Sequence, residues 1–147
     1  MLDEKDLKIL FELRRDSRQT TQALSRILDI PRSTIHERIK KMVQNGYIKQ
    51  FTVIPDYKKI GLPITAFIHV SFLPNPEVSQ RTLAEKISKI EGVHEVHIVS
   101  GEWDLILKVR AKSVEDVGRL VVDRLRKIRG VGKTQTSIVF STVKEVV

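Results

Sequence analysis

The chain has no cysteine in 147 residues, which excludes a disulfide framework and any thiolate metal site. Aromatics are scarce at 5%. That argues against a sheet that binds RNA through stacked aromatic platforms. Prolines number 5 and glycines 7, too few for a collagenous or low-complexity chain. No apolar run approaches membrane-spanning length, and the acidic start MLDEKDLK lacks the hydrophobic stretch of a signal peptide. The expectation is a soluble cytoplasmic protein without membrane contact.

What is abundant is charge, and more of it positive. A net charge of +8 with a pI near 9.9 favours polyanionic partners, nucleic acid first. Residues 1–60 hold 13 basic and 8 acidic side chains, against 13 and 10 in the remainder. The excess is therefore modestly concentrated toward the N-terminus.

The most informative stretch is TTQALSRILDIPRSTIHERIKKMVQNGYI, residues 20–48. It reads as two short helices separated by a tight turn through Leu28-Asp29-Ile30-Pro31. In the second, Ile35, Ile39, Met42 and Val43 share one face, because residues three and four apart align. Arg32, Ser33, His36, Glu37 and Lys40 occupy the other. Pro31 marks the helix start and Asn45-Gly46 its end. The preceding helix is capped by Thr20 or Thr21 and carries Ala23, Leu24 and Ile27 inward. A first helix over residues 3–15 is capped by Asp3, with Asp6 in its first turn and Leu2 packing on Leu7 as a staple. Its spacing predicts that Leu7, Leu10, Phe11 and Arg14 define the buried side. Three such helices make a helix-turn-helix domain, and an ordinary amphipathic helix with solvated charges is the competing reading of any one of them.

Residues 48–54, IKQFTVI, are β-prone and predict a short strand or wing. Residues 55–63 read as a linker. Beyond it, Lys89-Ile90-Glu91-Gly92-Val93 recurs as Lys127-Ile128-Arg129-Gly130-Val131, each a helix end followed by a β-prone segment. Helices are expected from Asn75-Pro76, with Leu83, Ile87 and Ile90 inward, and from Ser113, with Val117, Leu120, Val121, Leu125 and Ile128 inward. Strands are expected at 64–73, 93–99, 103–110 and 134–143, with a hairpin through Ser100-Gly101-Glu102. That order is βαββαβ, the ferredoxin-like arrangement. The fold class is thus α+β, with a three-helix, winged-helix-like reader at 1–50, a strand and linker at 51–63, and a ferredoxin-like domain at 64–147.

Alternation along the first strand turns Ile64, Ala66, Ile68, Val70 and Phe72 toward the helices. Phe67, Leu73, Ile106, Val139 and Val143 fall to the other face, an apolar area that sheet-to-sheet dimerisation would cover.

This organisation resembles the Lrp/AsnC, or feast/famine, regulators over essentially the whole chain. The marks are LDEKDLKIL at residues 2–10, Ser33-Thr34-Ile35 with Arg38-Ile39, Gly46-Tyr47-Ile48, and Gly101-Glu102-Trp103-Asp104. The resemblance implies a homodimeric transcription regulator, often assembled into tetramers or octamers, that reads palindromic double-stranded operators and senses an amino acid. The chain departs from the family at the turn, where Asp29 replaces the usual Gly, and at the head of the third helix, where Pro31-Arg32 replaces Ser-Pro. Asp tolerates a left-handed turn better than most residues.

On the DNA face, Arg32 and Lys40 suit phosphate or guanine, and Glu37 suits cytosine. Ser33 and His36 can bond bases or phosphates, and Thr21 and Gln22 can hold the backbone. Arg38 either binds phosphate or serves an internal ion pair. The effector candidates are Ser100, Gly101, Glu102, Trp103 and Asp104, with Thr134 and Thr136 beside them. Turn N–H groups suit a carboxylate and Asp104 an ammonium. His94 and His97 should face opposite sides of a strand, and no metal site or cofactor is expected. No nucleophile–base set or phosphate-binding glycine loop is present, which argues against an enzyme. The alternatives are a low-specificity DNA-packing protein without effector response and the regulatory subunit of an amino-acid metabolic enzyme.

Overall fold

The computed structural model describes residues 1–146, so the last residue of the expected 64–147 domain lies outside it. The chain divides into two compact units, Met1–Ile54 and Pro55 onwards.

The first unit is three helices, α1 (Glu4–Arg15), α2 (Thr21–Leu28) and α3 (Arg32–Gln44), around Ile9, Leu13, Leu24, Ile30, Ile35 and Met42. Asp3 and Asp6 form a reciprocal capping box on α1, each carboxylate accepting from the other's backbone N–H at 2.9–3.0 Å. The buried side of α1 is not the one expected. Leu7 and Phe11 are exposed, and the helix buries Asp6, Ile9 and Leu13. Two apolar stripes satisfy the same 3.6-residue period, and the core took the one containing Ile9. By the same correction Ile27 and Val43 are exposed, and Ile30, in the turn, fills the place expected of Ile27.

Residues 48–54 form no strand. Among the described residues no backbone partner faces 49–54, and a strand without a ladder has nothing to fix it. Phe51, Val53 and Ile54 are exposed.

The second unit is a four-stranded antiparallel sheet in the order β2-β3-β1-β4, with β1 (Ile64–Phe72), β2 (Val93–Ile98), β3 (Leu105–Ala111) and β4 (Val131–Ile138). The helices between strands are α4 (Gln80–Ser88) and α5 (Val114–Arg119). The latter continues through one π turn, Leu120–Arg124, and a short 3-10 turn, Leu125–Lys127. This is the βαββαβ order expected. Ala66, Ile68 and Val70 are fully buried against Leu83, Ile87, Val117 and Leu125 on the helices. At the two repeat positions, Gly92 and Gly130 adopt φ of +93° and +102°, so both helix ends turn where only glycine is unstrained.

Helix α4 and strand β4 depart furthest from the expected bounds, and β3 begins at Leu105 instead of 103. Helix α4 begins four residues late, because the Asn75 side chain accepts from Glu77 N–H at 2.8 Å and makes a turn; Ser79 then caps the helix through Thr82 N–H. Strand β4 occupies 131–138 instead of 134–143. Its N-terminal half is held by Ser71, whose Oγ accepts from Lys133 N–H at 2.6 Å beside a bulge at Val70/Phe72. The second face of the sheet leaves Phe67 and Leu73 exposed and Ile106 half-buried. Val143, beyond β4, is fully exposed.

Candidate DNA interface and ligand site

The DNA-reading candidate is built on α3. Ile35 and Met42 are buried and fix the helix on its hydrophobic side, which leaves Arg32, Ser33, His36, Glu37 and Lys40 all exposed along the other. The exposed row continues through Lys41 and Gln44, which the sequence reading passed over although the same spacing places them there. The turn before α3 is set by Asp29, the one non-glycine residue at positive φ among the described residues (53°). Ser25 secures it by donating its hydroxyl to the Ile30 carbonyl at 2.6 Å. Helix α3 has no side-chain cap, Pro31 standing where a serine would bond the first turn. At the head of α2, Thr20 is the cap, and Gln22 is exposed beside a half-buried Thr21.

Arg38 is drawn the other way. Its guanidinium pairs with Asp3 and, at 3.2 Å, with Asp6, whose carboxylate is nearly buried. Of the two roles left open for Arg38, the internal ion pair is the one present, and it ties α3 to the first turn of α1. The Asp6 backbone N–H, followed by the Arg38 guanidinium, holds the Asp3 carboxyl down to about 2.

The expected effector residues separate into two groups. Trp103 and Thr134 line one depression of about 470 Å³, together with Arg126, Gly132, Lys133 and Gln135. Ser100, Gly101, Glu102 and Thr136 do not line it, although Thr136, opposite Ile68, is on the same side of β4 as Thr134, opposite Val70. Asp104 has a structural partner: its Oδ2 accepts from Phe72 N–H at 2.7 Å, and its own N–H donates to the Val70 carbonyl. It therefore anchors the hairpin to the bulged end of β1. Trp103 packs on His69, ring centroids 5.8 Å apart. Arg126, Lys133 and Gln135 were missed because only the strand pairing and the 3-10 turn bring them beside Trp103.

The two histidines of β2 do not alternate as simply as a regular strand would. A bulge between Val93 and Glu95 lets Val93 and Val96, also three apart, both pack on the core. His94 lies edge-on to Tyr57, and its pKa falls below the usual histidine value through burial, then through Arg110 and Lys108. His97 bonds Glu95 at 3.1 Å. Among the described residues no group of three or more His, Asp or Glu is placed to hold a metal, and no helix is long and apolar enough to cross a membrane.

A helix-turn-helix unit followed by a ferredoxin-like unit defines a class, the two-domain helix-turn-helix transcriptional regulators. Comparison with known proteins makes this specific. Residues 2–49 match the model of winged helix-turn-helix DNA-binding domains, and residues 65–146 that of the Lrp/AsnC ligand binding domain. The chain is 52% identical over 145 residues to an uncharacterized HTH-type transcriptional regulator of Pyrococcus abyssi, covering 99% of this chain and 97% of that one. It is 34% identical over 147 residues to the transcriptional regulator AzlB of Bacillus subtilis, covering 100% and 94%. Among solved structures it superposes on a transcriptional regulator of Neisseria meningitidis in complex with L-methionine with a TM-score of 0.93, at 26% identity over 99% of this chain and 94% of the other. The chain belongs to the Lrp/AsnC family. It is a transcriptional regulator and not an enzyme.

Proposed function

We propose that the chain is a sequence-specific regulator that binds palindromic double-stranded DNA as a homodimer, with further assembly to tetramers or octamers, and changes its binding with a small amino-acid-like effector. The observation that carries the DNA reading is the exposed row Arg32, Ser33, His36, Glu37 and Lys40 on a helix pinned by buried Ile35 and Met42. Arg32 and Lys40 supply cations for phosphate or guanine, Glu37 an acceptor for cytosine, and Ser33 and His36 short bonds to base edges or phosphate. Gln22 and the N–H groups at the head of α2 hold the backbone. Two copies related by a two-fold axis would read half-sites about one helical turn apart. Phe67 and Ile106, the apolar pair on the sheet face turned away from the helices, mark the surface through which the copies meet.

The effector reading rests on the depression beside Trp103 and Thr134, and on the methionine bound by the Neisseria relative. Within the hairpin, Asp104 positions the turn. Selection of bound genomic fragments, with and without a panel of amino acids, tests the whole reading. A shared palindrome whose occupancy changes with one amino acid is the expected outcome. Uniform binding to any duplex would favour a packing protein instead.

A further inference from the structure

The depression at Trp103 has a one-sided charge. Arg126 and Lys133 line it, and among the described residues no carboxylate does. Among the described ion pairs neither cation has an acidic partner; Arg126 Nε makes a long bond of 3.4 Å to Thr134 Oγ1. The nearby acid that the sequence offers for an ammonium, Asp104, has Oδ2 taken by Phe72 N–H. The remaining polar lining is the Gln135 amide and the Thr134 hydroxyl. Behind Trp103 and opposite Gln135 on the neighbouring strand, His69 keeps a buried Nδ1 with no partner among the described residues. The wall itself is rigidly placed. Ser71 Oγ holds Lys133 N–H, and a Cβ on Gly132 would stand 2.6 Å from that same oxygen.

Two cations beside one open face, with no counter-charge, repel a ligand ammonium and attract carboxylates. From this geometry we infer that the effector is a small dicarboxylate, an acidic amino acid or the corresponding 2-oxo acid, in place of a neutral or basic amino acid. One carboxylate is held by Arg126 and the other by Lys133, with the aliphatic middle against the Trp103 ring. The inference rests on the reading that this depression is the effector site.

Trp103 is the chain's one tryptophan, so its fluorescence reports occupancy directly, with calorimetric titration of the full chain as the second readout. The titrants are L-glutamate, 2-oxoglutarate, L-glutamine, L-methionine and sulfate. Glutamate or 2-oxoglutarate should bind roughly ten- to a hundredfold tighter than glutamine, the scale of a charge-assisted hydrogen bond. The comparison of those two anions shows whether the ammonium is tolerated. The double variant Arg126→Gln/Lys133→Gln, at two exposed positions, should erase that gap while melting like the parent. Glutamine or methionine binding as tightly as glutamate, with the same Trp103 response, would overturn the dicarboxylate class and leave amino-acid sensing intact. Sulfate matching glutamate would reduce the site to a general anion patch and also overturn it. If none of the five perturbs Trp103 or gives heat, the effector reading falls together with the inference.

Discussion

At the scale of single residues, the ion pair of Arg38 decides how the reading helix is held. Removing its guanidinium leaves the nearly buried Asp6 carboxylate with only the Asp3 N–H. Arg38→Ala should therefore lower the stability of the first unit, because a nearly buried carboxylate loses its partner, measured by urea unfolding followed at its helical amides. The pH dependence has a definite sign. Asp3 is held down to about 2 from an ordinary 3.8, so its contribution is fully present above 3.8 and disappears as the pH falls through about 2. Asp3→Asn should flatten the acid unfolding of those amides between pH 4 and 2. A curve identical to that of the parent would mean that Asp3 does not couple to folding. Both carboxylates lie at the start of α1, yet their use by a residue 35 and 32 positions further on was not legible. The sequence left Arg38 open between phosphate and ion pair because local spacing says nothing of which helices cross.

At the scale of elements, α3 was legible in most of its detail. Pro31 and Gly46 mark its ends, and the spacing of Ile35 and Met42 admits one buried side. The opposite row then follows without further information. Helix α1 was legible in its bounds and its Asp3 cap but not in its buried side, because Leu7/Phe11 and Ile9/Leu13 satisfy one period equally and only tertiary packing chooses between them. If Lys40 meets a phosphate, Lys40→Ala should weaken operator and random duplex alike. The slope of log K against log salt should then shrink by about 0.9 for each phosphate that is no longer neutralised. An unchanged slope with altered base preference would assign Lys40 to base reading. Strand β4 offers a second test. A Cβ at Gly132 would press on Ser71 Oγ at 2.6 Å and the Ser71 carbonyl at 3.2 Å. Gly132→Ala should lower the stability of the second unit by about 1–3 kcal/mol, read from thermal unfolding. Adding Ser71→Ala should restore only part of it, since the carbonyl still stands in the way. The Gly-Glu-Trp-Asp hairpin was recognised from its residues. That Asp104 spends a carboxylate oxygen on β1 was not, because a strand bulge far away in sequence supplies the N–H.

For the whole molecule, alternation on β1 anticipated the helix-facing side, Ala66, Ile68 and Val70, while the other side carries exposed Phe67 and half-buried Ile106 among polar neighbours such as Lys108 and Arg110. A charge placed there should block pairing. Phe67→Asp is expected to shift the sedimentation mass from twice 16.9 kDa, or a higher multiple, to 16.9 kDa, with the far-ultraviolet spectrum unchanged. A variant that keeps the parent's mass would place the pairing surface elsewhere. The strand expected at 48–54 is the instructive failure, since β-prone composition requires a neighbour before it becomes a strand. Among the described residues the amide hydrogens of 49–54 have no backbone acceptor, so in deuterated water they should trade for deuterium at nearly the rate of a short free peptide. Any slowing there dates the arrival of a neighbour. The stretch is a stopwatch already written into the chain, and assembly can be timed on it without attaching a dye or changing a residue.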